Sequence, residues 1–281
     1  MKHGVKHQRR RKRSLPAVTM TFVLSLLAFG AAILLPWLLR KEPSAESMPT
    51  DGGEGHQRAA LLLIHDTDDR LTAAVAVHTD TRKLTMTVIG YPSQTEVAYH
   101  TALSTLERRY AEEGVEVARY VSALTGATYG KVMRLSVSAV AAFVASGGNG
   151  ISYTLPEEVG ALPIGEQTLT SLQIADVLRY DGWMQSLTGR AEAHAGIVAA
   201  IINQRLVPQR DITTMFQRFS SLCDDTVTVA EFSVIRDELS MLAAANDGSI
   251  CRPYVPEGRA VGRAEDRRFV MDGKMGRLGG K

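Results

Sequence analysis

The hydrophobic pattern predicts three β-strands in quick succession between residues 58 and 95. Residues 59–64 form a continuous apolar run, which is typical of a strand covered on both faces. Residues 72–79 and 83–89 are rich in Val, Ile and Thr, and apolar and polar side chains alternate in the second of these segments. Pro92 ends the set, because proline cannot continue a central strand.

The spacing of apolar residues after this set predicts a series of helices. They cover residues 101–110, 115–124, 138–145, 169–178, 190–206, 212–222 and 229–245. Further strands are predicted at residues 131–135 and 151–155, a turn at residues 165–168, and short extended pieces within residues 252–271. Because strands and helices alternate, we expect an α/β fold with three αβα layers around a central mixed sheet.

An uncharged segment at residues 15–39 predicts one transmembrane helix before this domain, with residues 16–39 in the lipid bilayer. A helix of roughly 19 residues spans about 28 Å, close to the thickness of the hydrocarbon core. The basic cluster at residues 9–13 predicts a cytoplasmic N-terminus, which places the main domain outside the plasma membrane. The alternative is a cleaved signal peptide, but no A-x-A-like site follows Leu39.

Composition and charge divide the chain into five parts. These are a basic tail (1–15), a signal anchor (16–39), a flexible stalk (40–57), an extracytoplasmic domain (58–272) and a tail expected to be disordered (273–281). The formal net charge of +2 includes seven cationic side chains in residues 1–15, so the remainder carries about −5. The domain is therefore not a basic nucleic-acid binder, and we expect no nucleic-acid partner.

Acidic residues are bunched where the first buried strand ends, at His65 to Asp69. Charged groups at strand ends are where α/β folds usually carry their chemistry. Asp66, alone or with Asp68 or Asp69, could supply oxygen ligands to a divalent cation such as Mg²⁺. The alternative is a solvated turn built by an Asx motif.

Two arginines lie on either side of a short predicted loop. Arg179 ends one predicted helix and Arg190 begins the next, so the pair could bind an anion. Arg179 could instead bind the last carbonyls of its own helix, and Arg190 could pair with Glu192 or Asp181. Arg70 is similarly open, because it could line a pocket or be the surface partner of Asp68 or Asp69.

This order of elements resembles the extracellular domain of the LytR-CpsA-Psr family, single-pass bacterial proteins that attach anionic glycopolymers to peptidoglycan. The resemblance covers roughly residues 15–271. It is carried by LLLIHD at residues 61–66, Arg70, Tyr91-Pro92, DVLRY at residues 176–180 and GRAEAH at residues 189–194. It implies that Asp66 is the first metal-binding acid and that Arg70, Arg179 and Arg190 face a pyrophosphate.

The chain also departs from the family pattern at several polar positions. The family's second metal-binding acid falls on Thr72, and the arginine after the strand-three proline falls on Ser93. The second arginine of an Arg-x-Arg pair falls on Asp181. The second arginine of the long-helix motif falls on Ala193, and its glutamine falls on His194. About half of the implied polar site is therefore missing.

The resemblance implies a membrane-anchored protein of cell-wall biogenesis that binds polyprenyl-pyrophosphate-linked glycopolymer. If active, it would transfer the polymer to a peptidoglycan hydroxyl with Mg²⁺ held by Asp66 and Asp68, and with Asp66, Arg70, Arg179 and Arg190 as catalytic residues. Apolar helix faces against the sheet would enclose the prenyl tail. The alternative, favoured by the departures, is a catalytically inactive lipid-binding or scaffold module of the envelope; an unrelated extracytoplasmic sensor domain is a third possibility.

Other candidate chemistry is weaker. His194 as a general base and Ser93 as a nucleophile have no Ser-His-Asp or Cys-His arrangement to support them. Cys223 and Cys251 are the only cysteines, and a disulfide between them would close a loop of about 28 residues and stabilise the fold by roughly 3–4 kcal/mol. Two buried free thiols are the alternative.

Overall fold

Strands and helices alternate along the chain, as the sequence predicts. The computed structural model describes residues 57–100, 102–148, 150–183, 187–206, 214, 217–218, 220–221, 228–246, 250–263 and 266–272. The strands in this part are β1 (Gln57–His65), β2 (Leu71–Asp80), β3 (Thr85–Pro92), β4 (Glu96–Tyr99), β5 (Ala102–Thr105), β6 (Lys131–Ser136), β7 (Ile151–Leu155), β8 (Gly165–Leu169), β9 (Cys251–Tyr254), β10 (Gly258–Val261) and β11 (Arg268–Met271). The helices are α1 (Leu106–Glu113), α2 (Ala118–Thr125), α3 (Val137–Ser146), α4 (Ser171–Arg179), α5 (Leu187–Ile201) and α6 (Val229–Ala245), with a 3₁₀ helix at Gly114–Val117 and a π-helical turn at Ile202–Leu206.

The central sheet is mixed and has the strand order β6-β1-β2-β3-β9. Strand β2 is antiparallel to both β1 and β3, whereas β6 runs parallel to β1 and β9 runs parallel to β3. Because side chains alternate along a strand, Leu62 and Ile64 enter a core with α3, α4 and α5, and Leu61 and Leu63 enter a second core with α1 and α2. The predicted mixed sheet with a helical layer on each face is confirmed for the described residues.

Side-chain caps fix where several helices begin. The hydroxyl of Thr105 accepts the N–H of Arg108 at the start of α1, and the hydroxyl of Ser136 accepts the N–H of Ala139 at the start of α3. Thr170 opens α4 with a complete capping box. Gly126 ends α2 in the left-handed conformation (φ 71°), as the sequence predicts.

Two predicted elements were wrong at their ends. Residues 102–105 were expected to open a helix but form β5, which pairs with β4 in a hairpin, and Leu103 is 59% exposed. Residues 165–168 were expected to turn but belong to β8, which pairs with β7. Both segments are short, and backbone pairing with a neighbouring strand overrides their local preference.

Helix α5 lies directly against the sheet. A Cβ atom at Gly90 of β3 would lie 2.2 Å from the carbonyl oxygen of Ala191 and 3.2 Å from the Cβ of Ala195. Glycine is therefore required at this position for the helix to approach so closely. The contact fixes the first turns of α5, which carry Arg190 and His194.

Two side-chain amides in the π-helical turn that follows α5 hydrogen-bond the backbone of strands β7 and β9. Asn203 Oδ1 accepts the N–H groups of Ile250 (3.0 Å) and Cys251 (2.9 Å), and its Nδ2 donates to the Cys251 carbonyl (3.1 Å). Gln204 binds both backbone groups of Ser152 in the same way, at 2.8 and 2.7 Å. Asn203 therefore satisfies the backbone of β9, the edge strand of the sheet.

Several predictions fall outside the described residues. The basic tail, the transmembrane segment at 16–39, most of the stalk, most of the 212–222 helix, Cys223 and the 273–281 tail all do so. Among the helices that are described, none is long and apolar enough to cross a membrane. Cys251 is buried, and burial raises the pKa of its thiol to about 12.

Candidate functional site

The turn between β1 and β2 is built on Asp66. Its Oδ1 accepts the backbone N–H groups of Asp68 (3.0 Å) and Arg70 (2.9 Å), and its own N–H donates to the carbonyl of Arg70 (3.0 Å). These bonds form the Asx-type turn that the sequence offered as the alternative to a metal site. Asp66 therefore has a structural role whatever else it binds.

Asp69 is held by residues from α1 and β6. Its Oδ1 lies 2.6 Å from Nη2 of Arg134 and accepts the hydroxyl of Tyr110 at 3.2 Å. Arg134 Nε donates to the same tyrosine oxygen at 3.0 Å. Asp69 is thus committed to this network, whereas Asp68 is exposed at the tip of the turn.

Arg70 is paired with Glu107, the second residue of α1. Its Nε donates to Oε1 of that carboxylate, and Oε2 accepts Nε2 of Gln94 at 3.2 Å and the hydroxyl of Ser93 at 3.5 Å. The hydrogen bond to Glu107 raises the pKa of Arg70, and the charges of Asp181 and Asp66 raise it further. The ion pair therefore involves a residue that the sequence did not suggest.

A polar pocket of about 290 Å³ opens beside this ion pair. Residues of the acidic turn and of the β5–α1 junction line it: Asp68, Asp69, Arg70, Thr105, Glu107, Arg108 and Ala111. Carboxylate and guanidinium groups of this kind hydrogen-bond hydroxylated ligands. The pocket therefore offers hydrogen-bonding partners to a hydroxylated ligand.

Arg190 is largely buried and faces the end of α4. Its side chain is 11% exposed, and its Nη2 donates to the carbonyl of Tyr180 (2.9 Å) and to Oδ1 of Asp181 (2.5 Å). Its Nε is buried and has no hydrogen-bond partner among the described residues. The pairing with Asp181 is one of the two alternatives that the sequence offered for Arg190.

Arg179 lies next to this cluster and is exposed. Its Nη2 donates to the hydroxyl of Ser138, in the first turn of α3, at 3.0 Å. The adjoining residue, Tyr180, supplies the carbonyl that Arg190 binds. Arg179 and Arg190 therefore lie on neighbouring segments, and Arg179 has no acidic partner in the described part of the chain.

His194 and Thr72 form a buried polar pair between α5 and β2. Nδ1 of His194 lies 2.7 Å from the Arg190 carbonyl, one turn earlier in the helix, and Nε2 lies 3.2 Å from the Thr72 hydroxyl. The hydroxyl also lies 2.9 Å from the carbonyl of Ile64. His194 is fully buried, and burial lowers its pKa to about 3, so the ring is neutral at physiological pH.

These contacts bring the predicted site residues to one end of the sheet. Thr72 links Ile64, near the end of β1, to His194 on α5, and Arg190 lies one turn before that histidine. Asp181, which binds Arg190, also acts electrostatically on Arg70. The residues named from the sequence, Asp66, Arg70, Arg179 and Arg190, thus lie around the C-terminal end of β1.

Solved structures with this architecture are known. No protein-family model matches the sequence, and none of the curated proteins matches it. The LytR-Csp2A-Psr enzyme from Actinomyces oris matches with a TM-score of 0.61 at 14% identity, over 78% of this chain and 86% of that chain. The chain has the LytR-CpsA-Psr fold.

Two further structures agree with this assignment. TagV from B. subtilis matches with a TM-score of 0.63 at 14% identity, over 78% of this chain and 92% of that chain. TagT bound to LIIa-WTA matches with a TM-score of 0.61 at 16% identity, over 78% and 86% of the two chains. At these identities the likeness shows the fold alone.

Three of the five positions that depart from the LytR-CpsA-Psr pattern contact one another or an arginine of the predicted site, and a fourth is linked to Arg70 through Glu107. Thr72 is hydrogen-bonded to His194, so two departures form one buried pair. Asp181 neutralises Arg190. Ser93 donates to Glu107, the carboxylate that binds Arg70. The altered positions therefore form a self-consistent arrangement.

The residues present do not reproduce the two-acid magnesium site that the LytR-CpsA-Psr resemblance implies. The place of the second acid is taken by Thr72, whose hydroxyl is buried between Ile64 and His194. No group of three or more His, Cys, Asp or Glu side chains in the described residues is arranged to hold a metal ion. Asp66 and Asp68 are the remaining carboxylates of the predicted set, and Mg²⁺ binding by them stays a prediction.

The sequence missed several residues of this site. Glu107 lies 37 positions from Arg70, Ser138 lies 41 positions from Arg179, and Arg134 lies 65 positions from Asp69. The one local signal was Thr105, which caps α1 and places Glu107 in its first turn. His194 and Ser93 were considered as base and nucleophile, and both are buried, at 0% and 1% exposure.

Proposed function

We propose that this domain is a cell-envelope module, anchored in the plasma membrane, that binds polyprenyl-pyrophosphate-linked glycopolymer. The observation that supports the proposal is that Arg190 binds the carbonyl of Tyr180, the residue after Arg179, at the sheet end that also holds Asp66 and Arg70. A diphosphate carries more charge than a carboxylate and accepts bidentate bonds from guanidinium groups. The fold supports this ligand class, because TagT, with the same fold, was solved with LIIa-WTA.

The parts of such a ligand can be assigned to separate surfaces. We assign the diphosphate to Arg179 and Arg190, and a sugar unit to the polar pocket of about 290 Å³ beside Arg70. A prenyl chain cannot pass between α5 and β3, where Gly90 contacts Ala191. On the opposite face, under α1 and α2, the second core is filled by buried side chains, so we assign no described surface to the prenyl chain and the expected enclosure of the prenyl tail between sheet and helices stays a prediction.

Binding without transfer is the function that the geometry supports best. Charge that develops on the leaving polyprenyl phosphate as the phosphoanhydride bond breaks must be stabilised by preorganised donors or metal ions, and the loss of one such contact typically costs two to three orders of magnitude in rate. The neutral Thr72–His194 pair takes the place of an acid, and Asp181 reduces the positive charge beside Arg190. Both features favour a catalytically inactive binding or scaffold module.

Transfer of the polymer to peptidoglycan is the second candidate. It is favoured by the retention of Asp66, Arg70, Arg179 and Arg190 at one end of the sheet. In that case the arginines would hold and neutralise the diphosphate. When bound, a magnesium ion would add positive charge beside Asp66 and Asp68.

One experiment separates these functions. The full chain, in detergent micelles, would be given a labelled polyprenyl-pyrophosphate-linked sugar and a peptidoglycan fragment as hydroxyl acceptor, with and without Mg²⁺, and both retained lipid and released polyprenyl phosphate would be measured. The Arg179→Ala and Arg190→Ala variants should retain at least tenfold less lipid. Arg58→Ala is the matched control, because Arg58 lies at the other end of β1, where it pairs with Glu238.

Each outcome has a distinct meaning. Retention without release supports the binding module. Release that requires Mg²⁺ and is lost in Arg179→Ala supports a transferase. Failure to retain the lipid, or equal loss in the Arg58→Ala control, would overturn the proposed function.

A further inference from the structure

Asp181 occupies Arg190 in the way that a bound anion would. Its Oδ1 lies 2.5 Å from Nη2 of Arg190, and its side chain is 69% exposed, whereas that of Arg190 is 11% exposed. The pair thus joins a carboxylate in solvent to a guanidinium fixed in the protein. Asp181 follows the end of α4 at Arg179 and is held there by little besides this ion pair in the described residues.

The other internal carboxylate, Glu107, is different in kind. It is 24% exposed, it belongs to a helical turn, and besides Arg70 it accepts hydrogen bonds from Gln94 and Ser93. Removing it from Arg70 would break several bonds at once. Asp181 can leave its arginine by a rotation of one exposed side chain, so an incoming anion would displace Asp181 and leave Glu107 in place.

Arg190 would stay in position after Asp181 had left. Its guanidinium also donates to the Tyr180 carbonyl at 2.9 Å, and its carbonyl is bound by His194 at 2.7 Å. Its buried Nε has no partner among the described residues even with Asp181 bound, so the ion pair leaves the guanidinium incompletely satisfied. The displaced state would therefore present a preformed donor to a ligand.

We propose that Asp181 is an internal competitor for the anion site, and that it sets how strongly charged a ligand must be to bind there. This inference rests on the proposed function, because it concerns the same diphosphate site. A singly charged anion would only replace the charge that Asp181 already supplies, and Asp181 is tethered beside its arginine. A diphosphate carries additional charge that Arg179, which has no acidic partner in the described part of the chain, would neutralise, and it can therefore displace Asp181.

The test measures the affinity of the full chain for inorganic pyrophosphate by titration calorimetry. The Asp181→Asn variant removes the charge and keeps the shape, and should bind about fivefold more tightly, which is the upper end of the effect expected for a largely exposed ion pair. Asp181→Glu keeps the charge and should bind within about twofold of the wild-type chain. Asp176→Asn is the matched control, since Asp176 is an exposed carboxylate on α4 and no change is expected.

The outcomes distinguish this inference from the proposed function. If the wild-type chain binds pyrophosphate and Asp181→Asn binds no more tightly, the inference is overturned and the proposed function stands. If no variant binds pyrophosphate, both are overturned. Equal tightening in Asp181→Asn and Asp176→Asn would indicate a general charge effect and would also overturn the inference.

Discussion

His194 lies 3.2 Å from Thr72, and this contact joins two positions at which the chain departs from the LytR-CpsA-Psr pattern. Both side chains are closed off from solvent, with His194 at 0% and Thr72 at 3% exposure. Because Nδ1 of the neutral ring donates to the Arg190 carbonyl, Nε2 is an acceptor, and the single hydroxyl proton of Thr72 is shared between Nε2 and the Ile64 carbonyl. The pair therefore ties α5 to β2 with neutral groups at the position where the resemblance implies a metal-binding acid.

Removal of the Thr72 hydroxyl should destabilise the fold. Thr72→Val keeps the size of the side chain but leaves Nε2 of His194 without its partner, which typically costs about 1–3 kcal/mol. The free energy of unfolding in urea would show the loss. Thr67→Val is the control, because Thr67 is exposed in the acidic turn and should change the free energy by less than about 0.5 kcal/mol. Equal effects of the two substitutions would contradict the buried pair.

Stability should fall as the pH is lowered from 7 to 5. Burial lowers the pKa of His194 to about 3 and that of His78 to about 4, whereas both titrate near 6.5 in the unfolded chain. Between these values the unfolded chain binds more protons than the folded chain. The stabilisation is therefore complete above about pH 6.5 and is lost as the pH falls through the folded-state pKa values.

The two histidines should contribute about equally to the loss of stability at low pH. One such histidine lowers the free energy of unfolding by roughly 2 kcal/mol between pH 7 and pH 5. His194→Gln should remove about half of the combined drop, and His78→Gln should remove the other half. Denaturant unfolding at the two pH values gives the measurement. If the free energy of unfolding of His194→Gln falls by the same amount between pH 7 and pH 5 as that of the wild-type chain, the pKa of His194 is not lowered in the folded state.

Because α5 packs so closely on the sheet, substitution of Gly90 should destabilise the fold. Gly90→Ala places a Cβ 2.2 Å from the Ala191 carbonyl, so α5 must shift, at a cost of about 1–3 kcal/mol. Because Arg190 lies on the same turns of α5, the affinity for pyrophosphate should fall as well. Gly130→Ala is the control, since the nearest atom to its added Cβ is 3.9 Å away. An unchanged affinity in Gly90→Ala would separate the helix position from the site.

The side-chain amide of Asn203 should contribute more to the stability of the fold than the side-chain amide of Gln204. Asn203→Ala leaves the N–H groups of Ile250 and Cys251 and the Cys251 carbonyl without this partner, so we expect a loss of about 2–4 kcal/mol. Gln204→Ala removes two bonds to Ser152, whose backbone is exposed to water, and should cost about 1 kcal/mol or less. Urea unfolding of both variants tests the order, and the reverse order would be inconsistent with it.

The strongly periodic parts of the fold were predictable from the sequence. The continuous apolar run at 59–64 indicated a strand covered on both faces, and β1 lies between two cores. The helix at 229–245 was also predicted with its observed bounds. The short strands β5 and β8 could not be predicted, because they pair with β4 and β7 through backbone hydrogen bonds and carry little hydrophobic signal.

The sequence named four residues of the candidate site and few of their partners. Asp66, Arg70, Arg179 and Arg190 were named from the sequence, and the contacts of the structure place them around one sheet end. Their partners come from distant segments, such as Glu107 for Arg70, and no local spacing relates such residues. The loop pairing of Arg190 with Asp181 was within reach of the sequence, because the two residues are nine positions apart.

The amide of Asn203 has a consequence for association between molecules. Strand β9 is at the margin of the sheet, where unpaired N–H and C=O groups would otherwise invite a strand from another molecule. Asn203 engages both backbone groups of Cys251 and so blocks that docking position. Pairing with a strand of another molecule is thereby disfavoured at the start of β9.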